Sequence, residues 1–266
     1  MQNKALSTLI LLLAGLVTSF TVLAAKPVPT IYAALGDSYA AGNGTGTRDL
    51  AYSCYRSSDA YGPLIEKAHR KWNLDFEACS GATSDDVINS QLSPLSADTN
   101  YVTVSMGGND IGFAELILNC AMYWDQAQCL AKVDEVHARI DSELPAKLEA
   151  AYAAINAAAP NAKVIQLGYP RAFGNNLACW DARGVSSTEA QALNGVSDHL
   201  DQVIGGRAAM AGVTYLSVIE QFKGHDMCSS EPYIRGKSGV YLEDWFHPTA
   251  AGHASGFKPL IEAAMK

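Results

Sequence analysis

Short apolar runs that break off at a turn, separated by stretches long enough for helices, narrow the possible folds of this chain more than any other feature. Residues 30–35 (Thr-Ile-Tyr-Ala-Ala-Leu) stop at Gly36, and similar runs recur at 74–79, 101–106, 163–168 and 213–218. Each reads as a buried strand ending in a turn. Helices are predicted between them at 58–72, where Asp59 starts the run, at 84–92, over roughly 127–159, and at 188–210. Pro145 should kink or split the longest, whose Ala-rich part at 146–159 reads as a closely packed helix. A last helix follows His247-Pro248 to about residue 264, with Pro248 in its first turn. Strands alternating with helices of this length imply right-handed βαβ crossovers and a parallel sheet covered on both faces, an α/β fold. With no internal repeat and no linker rich in Pro, Gly or Ser, residues 25–266 are expected to form one domain. In such open sheets ligands collect outside the carboxyl ends of the strands.

The first residues read as an export signal. Lys4 precedes an uncharged apolar run at 5–17, and small residues lead to Val22-Leu23-Ala24, so cleavage is expected after Ala24. Thr18, Ser19 and Thr21 leave the apolar part short of the ~20 residues a spanning helix needs. The mature protein is therefore expected outside the cytoplasm, with no stable membrane insertion. The chain has 266 residues, 48% of them apolar, enough for a full core. Its 19 Lys and Arg face 27 Asp and Glu, a net charge of −8, and no basic stretch exists to track phosphates. A nucleic-acid partner is not expected, nor an anionic membrane.

Export makes Cys54, Cys79, Cys120, Cys129, Cys179 and Cys228 a disulfide set. Fifteen pairings are possible, and loop-local pairing suggests Cys54–Cys79, Cys120–Cys129 and Cys179–Cys228. A metal site is not expected, because no CxxC occurs and only His225 and Cys228 sit at anything like ligand spacing.

Three consecutive predicted strands deliver Gly36-Asp37-Ser38, Cys79-Ser80-Gly81-Ala82-Thr83 and Gly107-Gly108-Asn109-Asp110 to the same edge of one sheet. Asp244-Trp245-Phe246-His247-Pro248 arrives just ahead of the last helix. Each motif alone is a weak signal; together they suit attack on an acyl carbonyl. A serine hydroxyl is a poor nucleophile at neutral pH, so it needs an imidazole to take its proton and an acceptor to fix that imidazole's tautomer. His247 and Asp244 fit those roles for Ser38. The N–H groups of Ser38 and Gly81 and the side-chain amide of Asn109 are candidates for an oxyanion hole. An imidazole must be neutral to act as base, so activity is expected to fall below about pH 6–7.

These blocks, in this order, resemble the four signature blocks of the SGNH, or GDSL, hydrolases. The resemblance runs from about residue 30 to the end and implies a flavodoxin-like three-layer α/β/α sandwich with a five-stranded parallel sheet. It also implies Ser38 as nucleophile, Gly81 and Asn109 in the oxyanion hole, His247 as base, and no cofactor. Cys54-Tyr55-Arg56-Ser57, Ala60-Tyr61 and the three cysteine pairs look like the secreted lipase and esterase branch. Some members there orient the histidine with a main-chain carbonyl. Asp244 sits where the carboxylate version would have it and is assigned the orienting role; Trp245 or Phe246 would supply a carbonyl if Asp244 points away. The function expected is a secreted, monomeric serine esterase or lipase cleaving small-molecule or lipid acyl esters through an acyl-Ser38 intermediate. A carbohydrate deacetylase, an acyltransferase and a non-catalytic binding protein are the alternatives, since the same constellation serves many substrates.

Other residues read as ordinary. His253, six positions after His247, is expected to pack in its helix, and His69, His137 and His199 are expected on exposed helices. Asp37 is expected to brace its turn, and Asp110 to cap the helix following Asn109. Gly36-Asp-Ser38-Tyr-Ala40 lacks the second glycine of the GxSxG elbow. Gly42-Asn-Gly44-Thr-Gly46 misses the third glycine of a dinucleotide fingerprint and reads as a flexible loop beside the serine.

Overall fold

The computed structural model describes residues 29–123 and 125–266, so the expected export signal lies outside the described residues. Five parallel strands, β1 (Thr30–Gly36), β2 (Trp72–Phe76), β3 (Thr99–Ser105), β4 (Lys163–Leu167) and β5 (Thr214–Leu216), form one sheet in the order β2-β1-β3-β4-β5. This is the flavodoxin-like order, and its switch point lies between β1 and β3. The three central strands β1, β3 and β4 are buried along most of their length because helices cover both faces, while β2 and β5 at the edges are half-buried. Tyr32, Leu35, Val102, Val104 and Ile165 lie in the core. Helix α2 (Tyr61–Ala68) packs with α8 (Lys258–Ala264), while α4 (Phe113–Met122), α5 (Gln126–Ser142), α6 (Leu144–Ala158) and α7 (Ser187–Met210) pack with one another.

Helix ends follow local chemistry. Pro145 splits the long predicted helix: α5 closes at Ser142 and Pro145 sits in the first turn of α6, where its missing N–H costs nothing. Asp125 and Ser186 cap α5 and α7 with reciprocal capping boxes, as Thr83 does for the short α3 (Ser84–Asp86). Three expectations shift. Helix α2 runs Tyr61–Ala68 and not 58–72: Asp59 accepts from Thr47 Oγ1 at 3.2 Å instead of capping it, and Trp72 already opens β2. Strand β2 ends at Phe76, since Cys79 is bonded to Cys54 and its N–H turns to the Gly36 carbonyl at 2.9 Å. Pro248 pairs with Ile234 in an isolated antiparallel bridge, so the last helical segment begins after Thr249, whose Oγ1 accepts from Gly252 N.

The disulfides are Cys54–Cys79, Cys120–Cys129 and Cys179–Cys228. The first ties the loop after β2 to the segment following the Gly-rich loop. Among the described residues, no helix is long and apolar enough to cross a membrane.

Candidate active site

The carboxyl ends of β1 and β3 touch at a single glycine. A Cβ on Gly36, whose φ is +119°, would lie 2.2 Å from the Ser105 carbonyl, so only glycine lets the turn fold over β3. Asp37 N–H donates to that carbonyl at 2.9 Å, and Gln91 clasps Gly36 from the other side through both its backbone N–H and its carbonyl. Ser38 then opens the one-turn helix α1 (Ser38–Ala41), with Asp37 accepting from Tyr39 N–H as its cap. A residue at the first helical position has no carbonyl to bond four residues back, which leaves its N–H free.

Ser38 and His247 are 209 residues apart in sequence, yet His247 Nε2 lies 2.7 Å from Ser38 Oγ. At that distance an unprotonated imidazole nitrogen can take the hydroxyl proton. The other ring nitrogen settles which tautomer is present: Nδ1 lies 2.8 Å from the Trp245 carbonyl, an acceptor only, so Nδ1 carries the hydrogen and donates it. Asp244 does not take the orienting role expected of it. Its Oδ1 accepts from Arg48 Nη2 at 3.0 Å and from Gly44 N–H at 3.3 Å, which turns the carboxylate away from Nδ1. Burial holds the His247 imidazole well below its ordinary value, at about 4, against the opposing effects of the Trp245 carbonyl and the Asp244 charge.

Of the three expected oxyanion donors, Ser38 and Asn109 line the same cavity, while Gly81 is not among its lining residues. Among the described residues no protein acceptor takes the Ser38 or Gly81 N–H, and the Asn109 amide donates one hydrogen to the Ala82 carbonyl at 2.9 Å. An amide nitrogen carries two hydrogens, so the second is left for a ligand. Asp110 is not a helix cap. Its carboxylate accepts from Ser84 N–H at 3.0 Å and Ser84 Oγ at 2.6 Å, tying the loop after β3 to the one after β2.

Several residues that the sequence reading did not single out hold this geometry. Tyr169, just beyond β4, donates its phenol to Asp37 Oδ2 at 2.5 Å and accepts from Gly108 N–H at 3.0 Å, linking the serine turn to the asparagine loop. The Asp37 carboxyl is pushed up to about 6 by burial, partly offset by its bonds from Tyr169 and Tyr39. Tyr39 donates to the Phe246 carbonyl at 2.7 Å, and its ring centroid lies 5.0 Å from that of His247. Phe246 has φ +62°, rare for a bulky side chain, and is held there by its N–H to the Arg235 carbonyl and by the Tyr39 bond. The only sequence cue for Tyr169 was a phenol at the end of a buried strand; Arg48 offered none.

The pair opens into a cavity of about 210 Å³ with apolar walls from Phe113, Ile117 and Leu118 of α4 and from Leu242, Trp245 and Phe246. His253 is buried elsewhere, accepting from Tyr61 N–H at 3.2 Å. His137 and His199 contact each other between α5 and α7. No group of three or more His, Cys, Asp or Glu among the described residues is arranged to hold a metal.

A sequence model of the GDSL-like Lipase/Acylhydrolase family matches residues 34–255. Lipase 1 of Streptomyces coelicolor is 40% identical over 253 residues, spanning 94% of this chain and 93% of that protein. Among solved structures, phospholipase A1 from Streptomyces albidoflavus NA297 superposes with a TM-score of 0.83 at 38% identity, covering 88% of this chain and 99% of that one. The extracellular lipase from Streptomyces rimosus gives 0.82 at the same identity and the same coverage. A match over most of the sequence, with relatives this similar along nearly all of it, means that the chain belongs to the GDSL-like lipase/acylhydrolase family and is a carboxylic ester hydrolase.

Proposed function

We propose that the protein is a secreted lipase or esterase that cleaves fatty-acyl esters through an acyl-Ser38 intermediate. The contact between His247 Nε2 and Ser38 Oγ, 2.7 Å at the mouth of an apolar cavity, is the observation that carries this reading. Ser38 Oγ attacks the ester carbonyl carbon as its proton passes to His247 Nε2. The carbonyl oxygen becomes an oxyanion and receives hydrogen bonds from the N–H groups of Ser38 and Gly81 and from Asn109 Nδ2. Collapse breaks the bond to the leaving alkoxide, which takes the proton from His247. Water then attacks the acyl-enzyme, gives a proton to the same nitrogen, and the fatty acid departs as Ser38 regains its hydrogen. The Trp245 carbonyl holds the imidazole in the tautomer that makes both transfers possible.

The apolar wall favours an acyl chain over a sugar, which supports the lipase reading over a deacetylase. Secretion is supported by the leader at 1–24, the three disulfides and the similarity to an extracellular lipase. Residues 25–266 are read as one domain, and a single copy of the chain supplies every group the reaction uses. The test is the rate profile on acetyl, octanoyl and palmitoyl p-nitrophenyl esters beside Ser38→Ala, with fluorophosphonate labelling of both proteins. Octanoyl or longer should be preferred, and Ser38→Ala should neither turn over nor label. A strong preference for acetyl would point to the deacetylase, and a folded wild type that never labels would end the catalytic reading.

A further inference from the structure

Asp244 stands three residues before His247, yet its carboxylate is committed elsewhere. The Arg48 side chain that holds it is 8% exposed, and its guanidinium lies between the rings of Tyr55 and Tyr241, 4.0 Å from each centroid. Glu243 is a second anion, 3.5 Å from the same guanidinium nitrogen. Stacking on two aromatic faces while bonding a carboxylate is a placement that suits Arg and not Lys. The loop bearing Arg48 is fastened directly behind the imidazole. Asn43 Nδ2 donates to the Glu243 carbonyl at 3.0 Å, Arg235 Nε donates to the Gly44 carbonyl, and a Cβ on Gly44 would come within 2.9 Å of His247 Cβ.

We infer that Arg48 is a positioning residue for the hydrolytic pair: it holds the Asp244 carboxylate off His247 and so leaves Nδ1 to the Trp245 carbonyl. The inference rests on reading Ser38 and His247 as that pair. A carbonyl fixes the tautomer as a carboxylate would, but it brings no full negative charge to the ring. The imidazole therefore stays unprotonated, and able to act as base, to a lower pH. With Arg48 gone, a buried carboxylate loses its compensating charge, and protonated His247 becomes the partner it favours. The other titratable and charged groups around the ring and its cavity are Asp37 and Tyr39 from the serine turn, Glu115 of α4, Tyr169 after β4, Arg235 and Glu243 from the segment bearing the histidine, and His253 from the last helix. All of them remain when Arg48 is replaced.

Arg48→Met keeps an apolar stem between the two tyrosines and removes the charge. On a water-soluble short-chain ester, the acid limb of its kcat/KM profile should move up by about one pH unit. Arg48→Met/Asp244→Asn should return the limb to the wild-type position, since no carboxylate is left to free, and Arg48→Lys should move it part of the way back. A purely structural role would lower Tm and rate at every pH without displacing the limb, so an Arg48→Met limb coincident with wild type overturns the inference. If Arg48→Met does not fold, Asp244→Asn alone decides. With a carbonyl orienting the ring, kcat should stay within about a hundredfold of wild type, whereas loss of a true orienting carboxylate costs about ten-thousandfold. A loss beyond a hundredfold overturns the inference. Fluorophosphonate labelling of the wild type at Ser38 tests the underlying pair separately: labelling with an unmoved limb defeats only the role of Arg48.

Discussion

The depressed basicity of His247 makes a sharp prediction about activity in acid. The free enzyme needs a neutral imidazole, and kcat/KM reports the ionisation of the free enzyme. With the ring at about 4, roughly 90% of the protein is competent at pH 5; a ring at the ordinary 6.5 would leave roughly 3%. The sequence-based expectation of a limb near pH 6–7 is thus displaced, because the ring is desolvated in the fold. Stability moves the other way. His247 and His253, at about 4 and about 3 in the fold, take up protons more readily when unfolded, so the stability they confer is full above about pH 6.5 and drains as pH falls towards those values. At pH 5 each should have lost about 2 kcal/mol. Asp37, raised to about 6, behaves oppositely: its ionised form is disfavoured in the fold, and protonation as pH falls from neutral to 5 returns about 1.4 kcal/mol. The net loss is roughly 3 kcal/mol, within the range a domain of this kind tolerates. The assay is initial-rate hydrolysis of a soluble p-nitrophenyl ester between pH 3.5 and 8, read after quenching to alkaline pH, beside a melting curve at each pH. A limb between pH 6 and 7 with an unchanged melting temperature would refute the claim that burial governs this imidazole.

Asn109→Ala removes one oxyanion donor and should cost ~2.7–4 kcal/mol of barrier, a 10²–10³-fold fall in kcat with KM little changed; steady-state kinetics on octanoyl ester checks it. Tyr39→Phe deletes the bond to the Phe246 carbonyl in a buried setting, so it should lower stability by about 1–3 kcal/mol. Because the carbonyl it leaves unpaired adjoins the histidine, kcat should fall as well; urea unfolding and kinetics read the two effects. Opening Cys179–Cys228 by double replacement with Ser frees a separation of 49 residues. The unfolded chain then gains entropy worth about 4 kcal/mol, read as a lower denaturation midpoint.

The strands and the reacting groups were legible because each is written locally. An apolar run stopped at Gly36 announces both a buried strand and a turn with no room for a side chain, and Ser38 follows that turn by necessity. Pro145 likewise marks its own helix boundary. What stayed hidden depends on contacts between distant segments. Asp244 has the right spacing for an orienting carboxylate, and nothing near it in sequence reveals that Arg48, 196 residues earlier, competes for it. Asp110 looks like a cap until Ser84 is brought beside it. Tyr169 joins two signature blocks through one oxygen, a role visible only once β4 lies next to β3. The basicity of His247 was misjudged for the same reason, since desolvation belongs to the assembled fold.

The reacting pair also turns the enzyme into a sensor of its own completeness. One partner rides on the first strand's turn; the other belongs to a closing segment whose anchors are Tyr39, Arg235 and the Gly44 loop. Loosening that segment alone would withdraw the proton acceptor while the sheet and the nucleophile's turn still stood. Catalysis should therefore vanish ahead of the bulk spectroscopic transition on mild denaturation, whereas clipping the tail outright also strips α8 and the buried Phe257 and Ile261, and should unfold the chain.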